Sequence, residues 1–173
     1  MLCYDDLTYR KVEISVFIDE DFRGKLEEGW LRRLAKQVLV TQEVSPSAEL
    51  SLVITSQERV QQLNRTYRGR DEPTDVLAFS ATEEAEGDFP PFINPPDGVL
   101  HLGEVLISYP QAVAQAEEHQ HSVKKEIAIL VIHGVLHLLG YEHDKPELER
   151  GMAAREIEIL NHIERNQKLW PKG

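Results

Sequence analysis

Residues 127–143, IAILVIHGVLHLLGYEH, constrain this chain more than any other stretch. IAILVI is apolar without a break, so the first histidine after it starts inside a buried helix. His133 and His137 are four apart, which puts both imidazoles on one helix face. Gly140 follows three residues later. Glycine tolerates the left-handed conformation that ends helices, so the helix is expected to stop there. The chain can then turn back and bring His143 to the other two. An imidazole pair on a buried helix costs free energy unless something satisfies it. Three neutral imidazoles converging beside an open fourth position are the donor set of a catalytic zinc site, with Zn–N near ~2.0–2.1 Å. His133, His137 and His143 are therefore expected to hold one metal ion per chain. Zinc is the first choice, although imidazole ligation also suits nickel and copper.

The spacing is that of zinc peptidases with H-E-x-x-H-x-x-G-x-x-H, in which the Glu beside the first His is the general base. Gly134 stands at that position here. A peptidase mechanism of that kind has no base, which argues against peptide hydrolysis.

At 173 residues the chain is expected to form one domain, with enough length for a substantial core. No secretory signal is expected from MLCYDDLTYR, which has neither a basic start nor an apolar run. The apolar run before His133 is far too short to span a membrane. Cys3 is the single cysteine, so there is no internal disulfide partner, and the composition suits a reducing cytosol. The net charge of −11 argues against nucleic acid as a partner unless basic residues cluster locally.

Along the chain, KVEISVFI (11–18) alternates polar and apolar residues and reads as a strand. Residues 29–40 place Trp30, Leu31, Leu34, Val38 and Leu39 at helical spacing. ELSLVITS (49–56) reads as a second strand, and Thr55 with Glu58 is a candidate capping box for a helix that stops near Gly69. DVLAFS (75–80) and HLGEVLIS (101–108) read as two more strands. Between them the acidic, Pro- and Gly-rich residues 82–98 read as a mobile surface loop. Ser108, Pro110 and Gln111 open a helix running to about His121. A break near Ser122 leads into the long histidine helix from Val123 to Leu139. Pro146 precedes a final helix, and residues 166–173 are expected to fray. Strands first and helices last predict an α+β fold, with helices packed on a mixed four-stranded sheet and the histidine helix buried across it.

Three blocks, LNRTYRGRDEPTDVLAFS (63–80), HLGEVLIS (101–108) and HGVLHLLGYEH (133–143), resemble the YbeY family of bacterial endoribonucleases, also called ribosomal RNA maturation factors. The resemblance extends over nearly the whole chain. It implies a cytoplasmic protein of zincin-like fold, with zinc on His133, His137 and His143. It also implies metal-dependent cleavage of single-stranded RNA in ribosomal RNA maturation and ribosome quality control, with the small ribosomal subunit as partner. The sequence departs from the family's usual pattern at Glu142 and Glu104, where Asp is usual, and at Ala78 and Ser80, where Ser and Pro are usual.

Cleaving a phosphodiester needs a cation where charge builds on the phosphoryl oxygens. Arg68 is the candidate, resembling the family's functionally required arginine, and its fork can hold two phosphate oxygens. Arg65, Arg70, Lys124 and Lys125 are expected to complete a local basic cluster. The other reading of Arg68 is a solvated helix end. Glu126, two turns before His133 on the same face, is a candidate to orient an imidazole, or else forms an ordinary ion pair at the helix start. Thr74 and Asp75 are expected to cap their own turn. Met152 reads as core, and His101, His119, His121 and His162 as surface or structural. Two other functions stay open: a non-catalytic, zinc-containing ribosome-assembly factor, and a zinc peptidase or amidohydrolase with its base elsewhere.

Overall fold

A computed structural model of the chain describes residues 11–81, 98–141 and 145–170. Cys3, His143 and most of the acidic stretch expected to be a mobile loop lie outside them. Four strands, β1 (Lys11–Ile18), β2 (Ser47–Thr55), β3 (Val76–Ser80) and β4 (Leu100–Ser108), form one sheet in the order β1-β2-β4-β3. β1 and β4 flank β2 in parallel, and β3 closes one edge antiparallel to β4. Five helices accompany them: α1 (Glu28–Thr41), α2 (Gln57–Arg68), α3 (Tyr109–Glu118), α4 (Val123–Leu138) and α5 (Pro146–Arg165). The protein is thus α+β with helices on a mixed four-stranded sheet, as the sequence predicts.

The central strands read as nearly continuous apolar runs because both their faces are covered. Side chains alternate across a strand. Leu50, Leu52 and Ile54 of β2, with Val105 and Ile107 of β4, join α1, α4 and α5 in the main core. Val53, Leu77 and Leu106 point the other way, onto Val60 and Leu63 of α2. One helix therefore covers the opposite face, which strand–helix order alone does not reveal.

α4 is the most enclosed helix. Ile127, Val131, Ile132, Val135 and Leu136 are fully buried, each contributing about 1.5–3 kcal/mol relative to exposure. Ser122 caps it by accepting a hydrogen bond from the Lys125 N–H at 3.1 Å. At its other end Gly140 has φ +96°. The Gly140 N–H donates to His137 O and the Tyr141 N–H to Leu136 O, the paired bonds of a Schellman stop. The turn expected after His137 is therefore present.

One of the two expected caps shifts. Ser56, not Thr55, caps α2, accepting from the Arg59 N–H at 3.2 Å. Thr55 is the last residue of β2, and its hydroxyl donates to Asp19 instead. Ser108 does cap α3 through the Gln111 N–H.

The expected fraying does not hold for residues 166–170. Leu169 is buried, and its carbonyl accepts a hydrogen bond from Trp30 Nε1 at 2.9 Å. Trp170 packs beside Trp30, and Lys124 Nζ lies 5.0 Å from each indole ring. An apolar pair at the end of a polar tail overrides the tail's composition.

Against β2, β4 carries one extra residue, since Glu49 faces His101 and Leu50 faces Gly103. Gly103 has φ +129°, and a Cβ there would sit 2.1 Å from the Phe79 carbonyl oxygen. Only glycine lets β3 close on β4 at this bulge. Among the described residues no helix is long and apolar enough to cross a membrane.

Candidate functional site

His133 and His137 leave α4 on one face, as their spacing requires. Their Nε2 atoms face each other at 3.0 Å, and the rings meet edge to face with centroids 4.5 Å apart. A tetrahedral centre with Zn–N of ~2.0–2.1 Å places its ligand nitrogens about 3.3 Å apart, close to this separation. On the far side of the His133 ring, Nδ1 is hydrogen-bonded to Glu156 of α5. A carboxylate there favours the tautomer with its proton on Nδ1, which turns the Nε2 lone pair toward His137, as a metal ligand requires. The two rings thus fit a cation between them, with His143 outside the described residues.

Glu156 is a residue the sequence reading missed. The signal was there: Met152, Ile159 and Ile163 are the buried stripe of α5, and Glu156 falls in that stripe at i+4 from Met152. A charged residue on an apolar face needs a partner.

Of its two readings, orienting a cleft imidazole or pairing at the helix start, Glu126 shows the second. It is buried, and its Oε2 lies 2.5 Å from His121 Nε2 and 3.3 Å from His119 Nδ1. The short segment between α3 and α4 folds both imidazoles over the first turn of α4, where they offset the cost of burying a carboxylate. His119, His121 and Glu126 present three donor atoms within 4.8 Å of one another, so this group could hold a metal ion. Of the two readings of His119 and His121, surface or structural, their pairing with Glu126 supports the structural one. The H-x-H-x4-E spacing across the Ser122 cap was the available signal.

The His133–His137 pair opens into a cleft of about 330 Å³ whose wall includes Arg68, Thr74, Asp75 and Ser80. Arg68, at the end of α2, enters it from the opposite face of the sheet by reaching around edge strand β3. Its Nη2 donates to the Ala78 carbonyl at 3.0 Å, and its guanidinium carbon lies 5.9 Å from the Phe79 ring centre. Thr74 donates to Asp75 Oδ1 at 3.4 Å, the local bond expected of a turn, yet both residues also face the cleft. Asp75 further lines a neighbouring cavity of about 290 Å³ shared by His119, Glu126 and His133.

Of the expected basic cluster, Arg65 shares the last turn of α2 with Arg68, but the two lysines lie elsewhere. Lys124 sits against Trp30 and Trp170, and Lys125 lies 3.7 Å from Glu164. Both belong to the other end of α4, two to three turns from the histidines.

Gly134 is explained by packing. A Cβ there would lie 2.6 Å from Val105 Cγ1 and 3.2 Å from its Cγ2. The helix presses so closely on β4 that the position held by glutamate in the peptidase motif has no room for a side chain. Gly134→Ala should lower stability by up to about 2 kcal/mol, since overpacking of ~1–3 kcal/mol is offset in part by a helix-propensity gain of ~1. The check is a lower denaturant midpoint at unchanged slope. An unchanged midpoint would mean that Val105 yields freely.

Comparison with known proteins identifies the family. A sequence profile described as Endoribonuclease YbeY matches residues 17–164. A protein of that name from Dehalococcoides mccartyi is 45% identical over 91% of this chain and 93% of its own. One from Roseiflexus castenholzii is 42% identical over 88% and 94%, and one from Geobacillus thermodenitrificans is 42% identical over 85% and 94%. The solution structure of a Thermotoga maritima protein shares the fold, with a TM-score of 0.55 at 24% identity over 91% of this chain and 89% of that one. A profile match running from β1 to α5, with relatives this similar along almost their full length, places the chain in the YbeY endoribonuclease family.

Proposed function

We propose that the protein is a zinc-dependent endoribonuclease that cuts single-stranded RNA in the cytoplasm. Its natural substrate in this reading is ribosomal RNA, during maturation and quality control on the small ribosomal subunit. One observation carries the reading: a single cleft brings Arg68 to the same space as two converging imidazole nitrogens. A cation site beside an arginine fork is what a phosphodiester needs. A peptide would need a base that Gly134 cannot supply.

His133 and His137 would hold the metal with His143, and Glu156 would fix the His133 ring. When bound, zinc supplies Lewis-acid chemistry and lowers the pKa of a coordinated water from ~15.7 to about 7. Arg68 binds the scissile phosphate and neutralises the charge that develops on it. The bond from Arg68 to Ala78 O and its contact with Phe79 hold the guanidinium in place before substrate arrives, which reduces the ordering cost on binding.

The test uses purified protein stripped by chelator and then reloaded with zinc. Loaded protein should cut a labelled single-stranded ribosomal RNA fragment internally and leave its duplex form and a peptide intact. Stripped protein should cut nothing. If loaded protein cuts no RNA, with or without ribosomes, the non-catalytic assembly-factor reading replaces this one. A 5′-phosphate on the product would mean that water attacks, whereas a 2′,3′-cyclic phosphate would mean that the RNA's own 2′-hydroxyl does.

A further inference from the structure

A second cavity, of about 420 Å³, lies between α2 and the β3 edge and adjoins the histidine cleft, sharing Arg68 and Ser80 with it. Arg59, Leu63 and Tyr67 recur every four residues along α2 and line one side. Phe79 and Glu104, cross-strand partners on β3 and β4, line the other. Tyr67 is 68% exposed, and its ring meets Phe79 edge to face at 5.4 Å. The Phe79 ring is thereby flanked by Tyr67 and by the Arg68 guanidinium.

We propose that this cavity is a nucleobase-stacking subsite. It takes one unpaired base of the RNA next to the scissile phosphate and lays it against Tyr67. The inference deepens the function proposed above and rests on it. An exposed aromatic ring beside two arginines is the arrangement that grips single strands, since every base has a π-face and every link a phosphate. Continuity with the cleft gives the order along the strand: base on Tyr67, phosphate on Arg68, scissile bond at the histidines. Glu104 decides what fills the cavity. A carboxylate repels phosphate, but it accepts hydrogen bonds from the N–H groups on a base edge. A paired base has that edge occupied and cannot turn it toward Glu104, so the same geometry accounts for selection of single strands.

The test is cleavage kinetics on a short single-stranded RNA, using full-length zinc-loaded protein. Tyr67→Ala should lower kcat/KM about 5–150-fold, the range expected for loss of one base stack, while zinc content and thermal unfolding stay unchanged. Tyr67→Phe, which keeps the ring, should restore most of the loss. Abasic sites placed one at a time along the RNA should reveal one position that costs the parent a similar factor and costs Tyr67→Ala nothing. If Tyr67→Ala cleaves as well as the parent, or every abasic site costs the two proteins equally, the subsite is refuted while the proposed function stands. A parent that cleaves no RNA refutes both.

Discussion

His137→Ala is expected to strip the protein of its metal. Elemental analysis should fall from about one zinc per chain, the occupancy of a three-histidine site, to nearly none. RNA cleavage should disappear with it. The expectation rests on the facing Nε2 atoms of His133 and His137: removing one leaves too few donors on α4 to hold a cation. His137 is only partly buried and alanine favours helix, so the fold should survive. Glu156→Ala separates orientation from ligation. It leaves every imidazole in place but releases His133 Nδ1, and losing such a partner weakens metal affinity about 10–100-fold. The competing group, His119, His121 and Glu126, is discriminated by the same measurement. Zinc kept by His137→Ala but lost from His119→Ala would move the metal to the start of α4 and overturn the proposed ligand set.

Most features with a local cause were readable from the sequence, the α2 cap, one residue out, being an exception. β1 begins and ends where its alternation does. The stop of α4 follows from one glycine, and the caps at Ser108 and Ser122 from residues three apart. Arg68 was singled out by the chemistry a phosphodiester needs, and it lines the histidine cleft; its role there is part of the proposal. Features that depend on distant partners were not readable. Glu156 meets His133 across 23 positions, and Trp30 meets Leu169 across 139. Helical periodicity put Glu126 and His133 on one face, but two turns separate them along the axis, and the nearer imidazoles of His119 and His121 take the carboxylate. Charge counting grouped Lys124 and Lys125 with Arg68 because all are basic, whereas a lysine at the opposite end of a buried helix finds other partners. Gly134 was noticed as a missing base. Its positive reason, the approach of Val105, is a contact between elements 29 residues apart and is visible only once the sheet is assembled.

Arg68→Glu is expected to abolish cleavage while leaving zinc content and fold intact. Arg68 is exposed, and among the described residues its anchors are one hydrogen bond to an edge-strand carbonyl and one aromatic contact. A bond from a charged donor contributes at most about 1.5–3 kcal/mol, below the ~5–15 kcal/mol that holds a domain folded. The guanidinium carries five N–H donors, so the bond to Ala78 leaves others to grip phosphate in the cleft. Removing one preorganised donor from a developing oxyanion costs about 10²–10³ in rate. Replacing the cation with a carboxylate adds repulsion of the substrate itself, so the loss in kcat/KM should be at least about 100-fold. Arg68→Lys keeps the charge but loses the planar fork, and should fall between the two. The order parent, Lys, Glu would show that both the charge and the fork matter. Equal loss for Lys and Glu would assign the effect to geometry, through the contacts that hold β3 in place. Cleavage by Arg68→Glu at the parent rate would remove Arg68 from the mechanism and leave the histidine cleft without an identified phosphate ligand.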